Sequence, residues 1–393
     1  MLIREKVRQA VELLNEYKLD CWITFVRESG IMRDPMMDFL CDSDMTWHSA
    51  FLIFATGETQ AIVGQLEKNT VDEMGVYQKV TGYVEGIGNH LQQALLEHDP
   101  KSIAVNFSEN SEVCDGLTHG MYRILRGHLA EIGFADRLLS SEKLVSSLRA
   151  RKTPTEIGRM KQAVAHTLDI FAEVSAFIEP GQTEEEIAEF MRQRVRERGL
   201  VVGWDPAHCP AVFTGPDNKG PHYHPTDLVV ERGHVLNMDF GVKVEDYVSD
   251  MQRTFYLLEE GETKAPADVR KGFDTIVESI EMARQVLKPG VLPVEVDKVA
   301  RDYIVSRGYD EFPHGLGHQV GRFVHDGNAL LGPAWEKYAD KVYQPVEEGM
   351  VFTIEPRLRV PGRGDATTEE MVVVRAGGAE FLGKPQTELI LVG

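Results

Sequence analysis

Residues 236–255 read LNMDFGVKVEDYVSDMQRTF and contain two aspartates, Asp239 and Asp250, that are eleven residues apart. The residues around Asp239 alternate in the pattern of a half-buried β-strand, and the following GVKVED offers a turn. Such a hairpin sets Asp250 and Gln252 across from Asp239. A carboxylate buried among apolar side chains is unstable without a partner. The stretch therefore predicts a hairpin with two inward acids, the alternative being that either aspartate faces solvent.

A second acidic pair lies in residues 350–375, MVFTIEPRLRVPGRGDATTEEMVVVR. Glu355 ends one apolar run, Glu369 begins another, and Pro361-Gly362 supplies a turn between them. If both hairpins direct their acids to one point, four negative charges repel one another. Two divalent cations would offset the four carboxylates, and a bridging hydroxide would complete the coordination of the ions. The two hairpins therefore predict a dinuclear metal site.

Histidines occur in a third stretch, residues 311–327, EFPHGLGHQVGRFVHDG. His314 and His318 are four residues apart, but the glycines between them oppose a helix. We therefore expect a strand or irregular segment in which one of the two histidines is a metal ligand. Other histidines lie nearby in the sequence: His325, and His222 and His224 in GPHYHPTD.

The length of 393 residues fits two domains. The first 150 residues have mixed α/β periodicity, and a charged link then leads into a capping box formed by Thr153 and Glu156, with Pro154 at the first helical position. A second capping box at Thr183 opens another helix. Strand-like stretches around 247–258 and 350–360 follow. These signals predict domains at 1–150 and 151–393.

The composition excludes several classes of protein. A net charge of −20 without any basic run argues against nucleic-acid binding. No apolar stretch is long enough to span a membrane, and the N-terminus lacks the apolar segment of a secretory signal. The cysteines show no CxxC spacing, which favours reduced thiols and a cytoplasmic location; they are Cys21, Cys41, Cys114 and Cys209.

Five motifs follow one another in the sequence: PHYHP, MDFG with an aspartate eleven residues on, HGLGH with VHD, TIEP, and EEMVVV. Their order and spacing resemble the pita-bread metallopeptidases, which include methionine aminopeptidase, Xaa-Pro aminopeptidase, prolidase and creatinase. The resemblance is closest to prolidase, the Xaa-Pro dipeptidase. It implies an α+β fold with a pita-bread catalytic domain at 151–393, a smaller α/β creatinase-type N-terminal domain at 1–150, and a homodimer.

The resemblance also implies a role for each motif residue. The metal ligands would be Asp239, Asp250, His318, Glu355 and Glu369, with Asp250 and Glu369 bridging the two metals. Glu369 is preferred to Glu370 on the family's spacing alone. The catalytic group would comprise His222, His325 and Glu355, and the substrate-binding group His314, His222 and His325. Oxygen-rich ligation with one imidazole favours Mn²⁺, with Co²⁺ or Zn²⁺ as alternatives.

The expected activity is hydrolysis of Xaa-Pro bonds in proline-containing dipeptides or short peptides, by attack of the metal-bridging hydroxide. An Xaa-Pro aminopeptidase acting on longer peptides is one alternative. A non-catalytic binding protein on the same fold is another, and a metal-free hydrolase similar to creatinase is a third. Retention of all five ligand positions argues against the last two.

Two positions depart from the family pattern. Arg359 stands where the family usually has tyrosine, and Thr367, two residues before the bridging glutamate, stands where arginine is common. One hypothesis is that Arg359 or Arg363 supplies a replacement cation near the metals.

Overall fold

The computed structural model describes residues 2–393. The chain divides into two compact units, with the boundary between Arg149 and Ala150. The helices of the first unit are α1 (Leu2–Tyr17), α2 (Met37–Leu40), α3 (Lys68–Glu73), α4 (Gly88–His98), α5 (His119–Ala130) and α6 (Glu142–Ala150). Its strands are β1 (Cys21–Val26), β2 (Ser49–Phe54), β3 (Thr59–Gly64), β4 (Lys79–Tyr83), β5 (Ile103–Val105) and β6 (Leu138–Ser140).

The first unit is built on one six-stranded mixed sheet with the strand order β4-β3-β2-β1-β5-β6. Strand β1 lies near its centre, and successive side chains point to opposite faces. Trp22 and Val26 pack into one core with residues of α1, whereas Ile23 and Phe25 pack into a second core with residues of α4 and α5. Both faces of β1 are covered, which explains why five of its six residues are apolar.

The helices of the second unit are α7 (Pro154–Phe177), α8 (Glu184–Glu197), α9 (Ala267–Val286) and α10 (Pro293–Ser306). Its strands are β7 (Val201–Val202), β8 (Ala211–Thr214), β9 (Val235–Phe240), β10 (Val242–Val244), β11 (Tyr247–Val248), β12 (Met251–Leu257), β13 (Gly317–His318), β14 (Leu330–Leu331), β15 (Val351–Ile354), β16 (Arg357–Val360), β17 (Gly364–Thr367), β18 (Glu370–Arg375), β19 (Gly378–Phe381) and β20 (Ile390–Val392). They form small sheets, the largest ordered β20-β12-β9-β8.

Both predicted capping boxes are present at the starts of α7 and α8. The hydroxyl of Thr153 accepts from the backbone N–H of Glu156, whose carboxylate accepts in return from the backbone N–H of Thr153. Thr183 and Glu186 make the same reciprocal pair. Each cap satisfies two backbone donors that the first turn of a helix leaves open.

A shared apolar core fixes the strands of the second unit. Val269 and Ile276 of α9 and Val296 of α10 are buried in one cluster with Phe352 of β15 and Val372 of β18. Each such side chain contributes about 1.5–3 kcal/mol on burial. This core holds β15 and β18 in place, and the ends of these two strands carry the second acidic pair.

Two predicted strand stretches are interrupted in the structure. The stretch at 247–258 divides into β11 and β12 around Ser249 and Asp250, and the stretch at 350–360 divides into β15 and β16 around Glu355 and Pro356. Proline cannot donate a ladder hydrogen bond, which accounts for the second break. Helices and mainly antiparallel sheets confirm the predicted α+β class. Among the helices of residues 2–393, none combines the length and the apolarity that crossing a bilayer requires.

Candidate metal centre

The predicted first hairpin is formed by β9 and β12, which pair antiparallel with Asp239 opposite Gln252. Asp250 directly precedes β12. The chain returns very closely here, because a Cβ on Gly241 would lie 1.8 Å from the carbonyl oxygen of Ser249, so only glycine fits. The two aspartates are neighbours, and their carboxyl groups interact with each other.

The second hairpin presents its two acids at one end. Ile354, the last residue of β15, pairs with Glu370, the first residue of β18. Glu355 follows β15 and Glu369 precedes β18, so the two glutamates leave the ladder at the same point. The backbones of Gln252 and Glu369 exchange two hydrogen bonds of 3.4 and 3.2 Å. These bonds join the first hairpin to the second.

His318 lies in β13 beside both hairpins. A Cβ on the preceding Gly317 would lie 2.0 Å from the carbonyl oxygen of Thr353, so the strand can approach β15 only with glycine at that position. The His318 backbone N–H donates to Thr353 Oγ1 at 3.1 Å. Its Nε2 lies 3.5 Å from Asp250 Oδ2 and 3.4 Å from Glu355 Oε1.

The structure thus brings the five predicted ligands into one cluster. Asp250, His318 and Glu369 each offer a ligand atom, and these atoms lie within 4.8 Å of one another. Asp239 Oδ1 and Glu369 Oε1 are buried and have no hydrogen-bond partner among the described residues. Buried carboxylate oxygens without a donor are costly. Their presence indicates a site shaped to receive a positive charge.

The electrostatics of the cluster lead to the same conclusion. Burial raises the pKa of Asp239 to about 7 and that of Glu355 to about 8. Burial, followed by repulsion from neighbouring carboxylates, raises the pKa of both Asp250 and Glu369 well above the ordinary range. Burial also lowers the pKa of His318 to about 3, which keeps the imidazole neutral.

The residues present therefore fit divalent cations. Within residues 2–393, no lysine or arginine forms an ion pair with Asp239, Asp250, Glu355 or Glu369. Four carboxylates with one neutral imidazole are a donor set that suits Mn²⁺ and similar divalent ions. A divalent cation bound here would offset the negative charge of the acids.

Three further predicted histidines have different positions relative to this cluster. The His325 ring packs edge-on against the His318 ring, with their centroids 4.4 Å apart. His314 is partly buried and its Nδ1 lies 2.8 Å from the Gly315 carbonyl oxygen; burial lowers its pKa to about 4. His222 is exposed, yet it lies close enough to act electrostatically on both His314 and His318.

Glu369 and Glu370 occupy different environments. Glu370 Oε1 pairs with the guanidinium of Arg253 at 3.0 Å, and both side chains are buried. Glu370 also accepts from the backbone N–H of Gln386 at 2.7 Å. Successive strand residues face opposite sides, so Glu370 points away from the acidic cluster while Glu369 points into it.

The two arginines considered as replacement cations are engaged elsewhere. Arg359 pairs with Asp365 at 2.8 Å and donates to the carbonyl oxygen of Pro216 at 2.6 Å. Arg363 donates to the carbonyl oxygen of Gly233 at 2.9 Å. Neither guanidinium contacts the acidic cluster, so the hypothesis of a replacement cation at Arg359 or Arg363 is wrong.

Two residues that the sequence did not single out shape the site. The amide of Gln252 contacts Glu355 and Glu369. The only indication of this in the sequence is that strand alternation puts Gln252 on the same face as Asp250. Glu184 is buried and accepts from the backbone N–H groups of Thr214 and Thr226 at 3.0 and 3.1 Å. Glu184 thereby binds Thr214 and Thr226, which flank the loop that carries His222. No sequence pattern indicates such a contact.

Comparison with known proteins finds a matching family and relatives of similar sequence. Residues 158–376, more than half of the chain, match the profile of Metallopeptidase family M24. The Xaa-Pro dipeptidase of Pyrococcus furiosus is 28% identical over 250 residues, which are 63% of this chain and 67% of that protein.

Solved structures share the fold over nearly the whole chain. The X-Pro aminopeptidase from Thermotoga maritima is 25% identical with a TM-score of 0.70, covering 98% of this chain and 99% of that one. The Xaa-Pro dipeptidase from Bacillus anthracis is 23% identical with a TM-score of 0.73, covering 99% of this chain and all of that one. These matches confirm the predicted pita-bread fold.

Proposed function

The chain belongs to metallopeptidase family M24, and we propose that it is a metal-dependent Xaa-Pro dipeptidase. The observation that carries this proposal is the buried acidic cluster around His318, in which two carboxylate oxygens lack a donor. A metal-binding peptidase needs such a cluster, and a protein that only uses the fold as a scaffold does not. The name of the Pyrococcus furiosus relative supports the choice of Xaa-Pro dipeptides.

The proposed ligands are the five clustered residues: Asp239, Asp250, His318, Glu355 and Glu369. When bound, two divalent ions would acidify a water molecule, polarise the scissile carbonyl and stabilise developing negative charge. We propose Mn²⁺ as the ion, because hard carboxylate oxygens dominate the set. The resemblance to the family implies that Asp250 and Glu369 would serve both ions.

The proposed catalytic side chains would move and hold protons. Glu355 would accept the proton of the attacking water at its carboxylate and pass it toward the proline nitrogen. A bond to proline is a tertiary amide without N–H, so its nitrogen must gain a proton before it leaves. His325, packed against His318, and His222, on the loop held by Glu184, would orient the substrate around the scissile bond.

His314 would line the substrate pocket. Its imidazole stays neutral near pH 7 because burial lowers its pKa to about 4. A neutral imidazole can accept or donate one hydrogen bond without adding charge to the site. His314 would therefore bind a polar group of the peptide and take no part in proton transfer.

Cleavage of longer peptides is the second candidate function. It is favoured by the Thermotoga maritima X-Pro aminopeptidase structure, which matches the chain over nearly its full length. The two activities share a metal centre and differ in the space left beyond the proline residue. A substrate assay therefore separates them better than metal analysis does.

The test compares Ala-Pro with Ala-Pro-Ala, using Mn²⁺-loaded protein, with Ala-Ala as the control for proline specificity. We expect Ala-Pro to be hydrolysed fastest and Ala-Ala slowest. Faster cleavage of Ala-Pro-Ala would favour the aminopeptidase. A protein that neither retains Mn²⁺ nor cleaves any of the three would be a binding protein.

Three features of the whole protein are part of the same proposal. We propose a cytoplasmic location, supported by four buried free cysteines, a thiol state typical of reducing compartments. We propose that residues 1–150 form the creatinase-type N-terminal domain and that residues 151–393 form the catalytic domain. We also propose a homodimer, which sedimentation of the purified protein would test.

A further inference from the structure

The side chain of Gln252 connects the two glutamates of the candidate metal centre. It is only 2% exposed. Its Nε2 lies 3.0 Å from Glu369 Oε2 and 3.4 Å from Glu355 Oε2. One amide group therefore contacts both glutamates at the end of the β15–β18 ladder where they lie side by side.

The orientation of this amide is determined by its other neighbour. The hydroxyl of Thr367 lies 3.1 Å from Gln252 Oε1 and 3.1 Å from the carbonyl oxygen of Pro356, and its proton can be donated to either acceptor. With the amide reversed, its oxygen would face two carboxylate oxygens, which repel it, whereas the NH₂ group offers two donors. Thr367 and the two acids thus favour the same orientation of Gln252.

The two oxygens of each glutamate carboxylate have different neighbours. Glu369 uses Oε2 for the Gln252 amide, while its Oε1 is the buried oxygen without a donor. Glu355 uses Oε2 for the same amide, while its Oε1 faces the His318 imidazole. The amide therefore contacts one oxygen of each acid and leaves the other directed into the cluster.

We propose that Gln252 is a positioning residue that holds Glu355 and Glu369 at the separation required by the divalent ions; this rests on the proposed function. The amide does so without a charge. Gln252 and Thr367 are both uncharged, so they support the acids without adding positive charge beside them.

The central test is Gln252→Met, which keeps the volume of the side chain and removes both donors. Mn²⁺ binding to the metal-free protein is measured by calorimetry. We expect the Kd to rise about 10- to 100-fold, the usual effect of removing a group that orients a metal ligand. The melting temperature of the metal-free variant shows whether the fold is retained.

A matched control comes from the first unit. Gln60 is also buried, and its amide also donates to a glutamate, Glu58, at 2.9 Å. Gln60→Met therefore makes the same chemical change away from the candidate centre. We expect its Mn²⁺ affinity to equal that of the wild type.

A second pair of variants keeps the inference testable if Gln252→Met does not fold. Thr367→Val removes the hydroxyl that orients the amide, and we expect a Kd increase of about threefold to tenfold. Thr367→Ser keeps the hydroxyl and should restore the affinity. Wild-type affinity in Gln252→Met, or in Thr367→Val if Gln252→Met does not fold, would overturn the positioning role alone. A wild-type protein that binds no Mn²⁺ would instead overturn the proposed function, and this inference with it.

Discussion

Lowering the pH should weaken Mn²⁺ binding steeply, because protons occupy the candidate ligands in the metal-free protein. Burial raises the pKa of Asp239 to about 7 and that of Glu355 to about 8. At about pH 6 both carboxyls are therefore at least about nine-tenths protonated, and each must lose its proton to bind a cation. His318 adds no proton, since burial lowers its pKa to about 3.

The expected magnitude follows from this count. Binding near pH 6 should release at least about two protons, so the affinity should rise about 100-fold for each pH unit there. Above about pH 8 the release should fall, because Asp239 is by then largely ionised and Glu355 is about half ionised. Asp250 and Glu369, whose pKa values are raised well above the ordinary range, can only increase the count.

Calorimetry in two buffers with different ionisation enthalpies measures the protons released. The control is Asp302→Asn, which removes an exposed carboxylate that pairs with Lys298 and should leave the count unchanged. An affinity that stays level between about pH 6 and about pH 8, with fewer than about one proton released, would refute the reasoning.

The same pKa shifts make the stability of the metal-free protein depend on pH. A carboxyl whose pKa is raised by folding stabilises the folded state below its unfolded pKa, and that stability is lost as the pH rises through the folded value. From about pH 6.5 to about pH 8.5, the melting temperature of the metal-free protein should therefore fall. Saturating Mn²⁺ should remove this fall, since the ions offset the ionised carboxylates.

Three substitutions test the remaining roles. Asp250→Asn should abolish Mn²⁺ binding and turnover while the circular dichroism spectrum stays unchanged; residual activity would contradict its role as a ligand. His325→Ala should lower kcat about 100-fold with Mn²⁺ affinity retained, and equal kcat would count against it. Glu184→Ala should free the loop that carries His222 and lower kcat/KM about tenfold without changing Mn²⁺ affinity. The neighbouring exposed Glu185→Ala is its control, and an equal loss in both variants would exclude a specific loop contact.

Much of the fold could be predicted because it depends on local signals. Capping boxes at Thr153 and Thr183 determine where two helices start, through hydrogen bonds that span only three residues. The hairpin around Asp239 follows from alternation and a turn. The spacing of Glu355 and Glu369 around Pro361-Gly362 likewise belongs to one hairpin.

The need for positive charge at the site could also be predicted from the sequence. Two hairpins, each with two acids beside apolar residues, require positive charge if they meet. This requirement could be inferred from the sequence alone. The order of the motifs was the reason to expect that the two hairpins come together. The hypothesis about Arg359 failed because a buried carboxylate, Asp365, lies opposite it in the β16–β17 ladder and binds its guanidinium.

The residue pattern by itself determined the strands, the helix starts and the set of acids, because each depends on neighbours a few residues away. Only the tertiary structure decided that Glu369 faces the cluster while Glu370 pairs with Arg253, since both glutamates stand in the same polar pair before an apolar run. It alone placed the Gln252 amide against acids that are 103 and 117 residues away. Contacts at such separations arise from packing of whole hairpins on a shared core, and no local periodicity encodes them.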